Sequence, residues 1–216
     1  MRAAEFLLEL LFPRKCILCG KILHREETDL CTACRRETER YAPAGRKLPR
    51  IRTFTALWYY EDTVRRSLIR YKFYNVRSYA DGYGRMLGMK ILEDLGEPEV
   101  LTWVPVSARR KRRRGYDQVE LIARAVSRET GIPCRPLLRQ IRDNKAQSSL
   151  EKAEQRRANV LGVYRAAGEV RGKKILLLDD ILTTGATASE CARVLLTAGA
   201  KEVAFAAVAA GRNHNE

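Results

Sequence analysis

Two hydrophobic periods alternate along most of this chain. The runs TFTALWYY (53–60), VLTWVPV (100–106), VLGVYRA (160–166), KKILLLDD (173–180) and KEVAFAAVAA (201–210) have the length and the aliphatic or aromatic content of strands. CRPLLRQI (134–141) is a shorter strand candidate. Between the runs the period lengthens to that of helices. One helix is expected from Asp62 towards Tyr71, and another from Ser78 to Leu95, stopped by Gly96. In DQVELIARAVSRETG, Val119, Ile122, Ala123 and Val126 share one helical face, with Gly131 and Pro133 as stops. A last helix is expected from Ala188 to Ala198. Strands that are continuous aliphatic runs, separated by helices, predict an α/β fold with a mostly parallel sheet and helices on both faces. Ligands in such sheets sit beyond the carboxyl ends of the strands.

The two ends of this pattern differ from its middle. Phe6, Leu7, Leu10 and Leu11 recur at helical spacing up to Pro13. Glu5 and Glu9 interrupt that stretch and no small-residue cleavage site follows, so a packing helix is expected rather than a signal peptide, and a cytoplasmic chain with it. No run of eighteen apolar residues predicts a membrane span. The polar, basic RRETERYAPAGRKLPRIR then separates an N-terminal unit (1–40) from the main domain (53–216), with 41–52 as a connector.

Four of the six cysteines fall in the N-terminal unit, as Cys16-x-x-Cys19 and Cys31-x-x-Cys34. Each pair puts two thiolates on one tight turn, and two facing turns make a tetrahedral zinc site. Gly20 suits such a turn because it accepts positive φ. Redox or disulfide roles are the alternatives, and disulfides fit poorly in a chain without an export signal. Four protein ligands leave no open position, so this Zn²⁺ would be structural. His24 lies between the pairs and is expected in a solvent-facing loop. Cys134 and Cys191 are expected as small buried side chains.

Charge changes the picture next. The chain carries 41 Lys and Arg against 26 acidic residues, a formal +15. That surplus suits polyanionic partners, nucleic acid or phosphorylated small molecules, or else a merely solvated basic surface. ARRKRRRGYDQ concentrates it on the loop after the strand ending at Val106.

The most specific stretch is ILLLDDILTTGAT (175–187). Ile175 to Leu178 form a buried strand, with Asp179 and Asp180 where it ends. Thr187 and Glu190 have capping-box spacing, which makes 181–187 a strand-to-helix turn. Exposed N–H groups in such a turn, backed by the helix dipole, attract an anion. Gly185 lets the backbone come close, Thr183, Thr184 and Thr187 add hydroxyl donors, and Ala186 stands with them among the phosphate-binding candidates. Two carboxylates beside a phosphate loop make sense if the ligand also carries vicinal hydroxyls or a divalent cation, as a ribose 5-phosphate does.

This stretch resembles the phosphoribosyl pyrophosphate (PRPP) signature of type I phosphoribosyltransferases. The wider pattern resembles the ComF family of competence proteins: an N-terminal helix, paired C-x-x-C turns, VPVSARRKRRRGYDQ, Q-x-x-L…RRAN and the PRPP motif. The resemblance covers nearly the whole chain. It implies a type I phosphoribosyltransferase-like sheet behind a zinc ribbon, acting in DNA uptake during natural transformation. It also implies single-stranded DNA and a helicase-like competence ATPase as partners, and a cytoplasmic place, peripheral to a membrane-bound uptake complex.

By the same resemblance Asp179 and Asp180 hold the sugar, and Mg²⁺ accompanies PRPP. Ser107 and Arg109 lie where these folds bind pyrophosphate, and Arg113 and Arg114 either continue that role or grip a DNA backbone. Residues 143–159 correspond to a lid over PRPP, with Lys145, Gln147, Arg156 and Asn159 as its candidates. Three functions stay open: a PRPP-site protein serving DNA uptake, an active phosphoribosyltransferase with an unknown acceptor, and a Mg²⁺-dependent nuclease built on the aspartate pair. The last leaves the T-T-G-A-T loop without a task. The chain has no room for an ammonia-releasing domain, and nothing in it announces a base pocket. Neither His24 nor His214 lies near the motif in sequence.

Overall fold

The computed structural model describes residues 13–43, 45–74, 76–142 and 160–212. The expected N-terminal helix around Phe6–Leu11 and His214 lie outside the described residues, as does 143–159 with all four lid candidates. In chain order the elements are α1 (Thr32–Glu37), β1 (Phe54–Tyr59), α2 (Asp62–Phe73), α3 (Tyr79–Asp94), β2 (Val100–Trp103), α4 (Ala108–Arg114), α5 (Gln118–Thr130), β3 (Leu138–Gln140), β4 (Tyr164–Ala166), β5 (Lys174–Leu182), α6 (Ala186–Thr197) and β6 (Glu202–Ala210).

The main sheet has the order β1-β6-β5-β2 and every pairing in it is parallel. Its central strands read as they should for burial on both faces: Leu176, Leu177 and Leu178 of β5 and Phe205, Ala206 and Ala207 of β6 are all fully buried. One face packs on α2, α3 and α5, through Leu68, Tyr83, Leu87, Ile122 and Val126. The other packs on α6, on the small β3–β4 ribbon and on the connector, through Cys191, Leu195, Tyr164, Leu48 and Ile51. The helices α3 and α5 approach closely because Gly84 faces Ala125. A Cβ on Gly84 would stand 2.2 Å from that of Ala125, so any side chain there would force them apart.

The zinc-ribbon unit is not an appendage. Cys16, Ile17, Leu18, Leu23 and Leu30 belong to the same buried cluster as α2 and α3. Ser67 of α2 donates to the Ile17 carbonyl and Arg70 to that of Leu18, and Arg85 of α3 pairs with Asp29 at 2.5 Å. A turn-rich unit with few apolar residues of its own thus borrows the core of its neighbour.

Four local expectations need correction. The strand expected over 100–106 ends at Trp103: Val104 still donates to the Leu178 carbonyl (2.9 Å), but Pro105 has no N–H to continue the ladder. The basic run is not a loop but helix α4. The Ser107 hydroxyl accepts from Arg110 N at its start, and Gly115 at φ +77° ends it. Arg and Lys are good helix formers, and their charge suits the C-terminal end of the helix dipole. The segments around 138–140 and 164–166 pair antiparallel with each other outside the main sheet. Finally, Thr187 and Glu190 do not form a capping box. Helix α6 starts at Ala186 behind Gly185 with no side-chain cap, and Glu190 instead accepts from Gly162 N (3.0 Å) and binds Arg193.

Candidate functional site

The four sulfurs of Cys16, Cys19, Cys31 and Cys34 all lie within 4.8 Å of one another, and those of Cys19 and Cys31 are 3.7 Å apart. Sulfurs at about 2.3 Å from a tetrahedral zinc stand about 3.8 Å from each other, so donor set and spacing both fit the metal. Gly20 takes φ +81° and donates to the Cys16 carbonyl, closing the first turn. Cys31 starts α1 and its sulfur accepts from Cys34 N, which shapes the second. Glu27 braces both: its carboxylate accepts from His24 N (2.9 Å) and from Thr32 N and Oγ1, and these donors hold it down to about 2. His24 is exposed and stands outside the sulfur cluster. Burial, followed by the neighbouring sulfurs, raises the Cys34 thiol far above its usual range. Four thiols this close resist joint ionisation until a cation supplies the opposite charge, which is the role of structural Zn²⁺ here.

The second site lies beyond the carboxyl end of β2. After Leu178 pairs with Trp103, β5 runs on for four residues with β6 alone beside it, so Asp179 and Asp180 stand on the strand where the sheet narrows. Alternation sends their side chains to opposite faces. Asp180, with Leu178, points towards α2, where Lys72 Nζ lies 2.9 Å from its Oδ1. Asp179, with Leu177, points towards Tyr164 of β4 and Cys191 of α6, whose hydroxyl and thiol are both raised first by burial and further by its charge. Asp179 itself is pushed well above the usual carboxylate range, first by burial and then by Asp180. Its Oδ1 accepts from Asp180 N at 2.8 Å.

The turn at 183–185 follows at once, and Gly185 at φ +78° takes the left-handed conformation that leads into α6. Ala186 N donates to Thr184 Oγ1 at 3.4 Å. The connector comes down on this turn from above. Arg46 donates to the Thr183 carbonyl and, at 3.0 Å, to that of Gly211, while Leu48 Cδ2 would be 2.6 Å from a Cβ on Gly185.

Helix α4 completes the rim. Arg110 and Arg114 are one helical turn apart and both are partly buried, whereas Arg109, Arg112 and Arg113 are exposed. Arg114 feels the charge of Asp180, and the positive charge of Arg110 acts on the Tyr164 hydroxyl beside Asp179. Burial lowers the Arg114 guanidinium, whose Nη1 donates to Gln118 Oε1 at 2.8 Å. Arg114 Nε and Gln118 Nε2 are buried with no acceptor. Asp117 locks the segment before α4 to the start of α5, accepting from Val106 N (3.2 Å), Val119 N (3.0 Å) and Glu120 N (3.1 Å).

The structure therefore brings together Asp179, Asp180, Thr183, Thr184, Gly185, Ala186, Thr187, Ser107 and Arg114. Ser107 serves there as a helix cap, and Arg109 and Arg113 are exposed. Lys72 and Arg110 are site neighbours that sequence reasoning missed, and Arg46 reaches the turn from the connector. Arg110 had a signal: once the basic run is taken as a helix, i and i+4 share a face. Lys72 had none, because only the tertiary fold carries it there.

Residues 7–46 match the family model of the double zinc ribbon domain, and residues 113–216 that of the phosphoribosyl transferase domain. The chain is 24% identical over 218 residues to competence protein F of Haemophilus influenzae, across 89% of this chain and 95% of that protein. It is 39% identical over 100 residues to competence protein ComFC of Streptococcus pneumoniae, across 46% of this chain and 43% of that one. Among solved structures it is similar to the glutamine PRPP amidotransferase from B. subtilis complexed with ADP and GMP. That likeness has a TM-score of 0.46 at 24% identity, over 65% of this chain and 30% of that one. With the parallel sheet and the strand–turn–helix around Asp179, the domain matches give the fold as type I phosphoribosyltransferase-like behind a structural zinc ribbon. No helix among the described residues is long and apolar enough to cross a membrane.

Proposed function

The chain belongs to the ComF family, and from that premise we propose that it binds PRPP with Mg²⁺ at the β5–α6 rim and serves DNA uptake by handling single-stranded DNA. One observation carries the reading: adjacent carboxylates, a Gly185 turn opening a helix and a helix of arginines lie together at the carboxyl-end rim of the sheet. The 5-phosphate takes the turn at 183–187, where N–H groups and the dipole of α6 favour an anion. Asp179 and Asp180 take the ribose hydroxyls, and Arg110 and Arg114 face the pyrophosphate. The hard carboxylate oxygens suit Mg²⁺, which would be shared between Asp179 or Asp180 and the ligand and would stabilise charge on the pyrophosphate. Lys72 meanwhile neutralises Asp180, so a sugar hydroxyl or a cation has to compete with it. The exposed Arg109 and Arg113 are left for a nucleic-acid backbone, with a helicase-like competence ATPase as the protein partner.

A second reading, transfer of the ribosyl group to an acceptor, gains support from the connector. Arg46 and Leu48 cover the turn as a hood covers a transferase site, and shielding from water is what an activated ribosyl centre requires. In that reaction the bond from the anomeric carbon to pyrophosphate breaks, a bond to the acceptor forms, and the acceptor proton goes to solvent or pyrophosphate. No protein nucleophile is needed.

Calorimetric titration of the zinc-loaded chain with PRPP and Mg²⁺ tests both readings. Saturable binding is expected, with at least about a hundredfold loss when Asp179→Asn and Asp180→Asn are combined, since two hydrogen-bonded charges are removed. Absence of binding to a well-folded chain would overturn the PRPP reading. Pyrophosphate release when candidate acceptors are added to the same mixtures would favour transfer.

A further inference from the structure

Helix α2 ends in an unusual way. Phe73 and Tyr74 are 63% and 71% exposed, and they are the two aromatics among the large exposed hydrophobics of the described residues. They are adjacent in the chain and follow Lys72, which holds Asp180. Their neighbours are arginines. The Arg114 guanidinium lies 5.1 Å from the Phe73 ring centre, and that of Arg77 lies 4.4 Å from the ring of Tyr116, at the C-terminal end of α4. The outward side of α4 adds Arg109, Arg112 and Arg113, all exposed, with no acid in its first turn.

Two open rings are expensive to leave in water and a run of like charges repels itself, so each needs a ligand for its own reason. A protein partner with an apolar patch would satisfy the rings but not the arginines, and duplex DNA would satisfy the arginines while hiding its base faces. Single-stranded nucleic acid presents both a charged backbone and free π-faces. We propose that Phe73 and Tyr74 form a stacking platform for the bases of a single strand whose phosphates lie along Arg109, Arg112 and Arg113. The proposal rests on the reading that this chain handles single-stranded DNA, and it gives that reading a location at the mouth of the carboxylate rim.

Fluorescence anisotropy with the full zinc-loaded chain tests it, using a labelled twenty-nucleotide oligothymidylate and an abasic strand of the same length. Both aromatic side chains are exposed, so the Phe73→Ala/Tyr74→Ala variant is expected to melt as the wild type does. Stacking of one or two bases predicts that the wild type prefers the oligothymidylate by about tenfold or more, and that the aromatic variant loses this preference. The variant Arg109→Gln/Arg112→Gln/Arg113→Gln should keep the preference but lower the salt slope by about 2, from three lost phosphate contacts. Equal affinity for the two strands, or an aromatic variant that binds like the wild type, overturns the platform while DNA handling stands. A wild type that binds no single strand at low salt overturns both.

Discussion

In the zinc ribbon, four thiols crowd within 4.8 Å so that one cation can cancel their charge. On the carboxylate rim, two aspartates share a strand, one held by Lys72 and the other raised by its burial and its neighbour. The ribbon's charge problem is solved by a resident metal, and the result is structure. The rim's is left partly open, and that is the opening the proposed ligand would use. A second difference is range. All four sulfurs come from residues 16–34, so spacing alone assembles them. The rim is gathered from afar: Lys72 and Asp180 are 108 residues apart, Arg46 and Thr183 137.

The largest effect should come from taking the metal away. A strong chelator, or Cys31→Ser, is expected to lower the melting temperature by about 10 °C or more, because metal binding and folding are one equilibrium in such modules. The loss should spread beyond the ribbon, since Ile17 and Leu18 are packed and hydrogen-bonded against α2. A melting curve unchanged by the chelator would remove zinc from the account.

The aspartates should then separate from each other. Asp180→Asn leaves Lys72 without its counter-charge in a mostly buried pair, at a cost of about 1–3 kcal/mol. Asp179→Asn should act in the opposite direction. The folded chain holds this carboxyl above its unfolded pKa, so it binds the proton more tightly than the unfolded chain does. Stability from this group is therefore greatest in acid and falls as pH rises from the ordinary carboxylate range through the raised value. At neutral pH Asp179→Asn should raise the melting temperature by a few degrees, about 2–4 °C per kcal/mol in a chain of this size, and the gain should shrink on acidification. Melting of the two variants against wild type at pH 5 and pH 7 checks both signs, and a destabilised Asp179→Asn would mean that the carboxylate is held by donors rather than strained.

The range of each contact also decides how much could be read in advance. The C-x-x-C spacings located the ribbon's cysteine cluster, and the paired acids before T-T-G-A-T located the strand, the turn and the helix that follows, because each of these is local in sequence. The aliphatic runs of β5 and β6 likewise announced a parallel sheet buried on both sides. The basic run was misjudged as a loop because a string of arginines carries no apolar period. Its helix is set by Ser107 and Gly115 at its ends rather than by a face. Lys72 was out of reach in principle, since its place beside Asp180 follows from no spacing.

Amide hydrogen exchange of the zinc-loaded chain, with and without PRPP and Mg²⁺, tests the central claim most directly. The account predicts slowed exchange at residues 183–188 and 109–114, with the ribbon at 16–34 unchanged. Protection confined to the ribbon, or none at the turn under conditions where PRPP is bound, would contradict it.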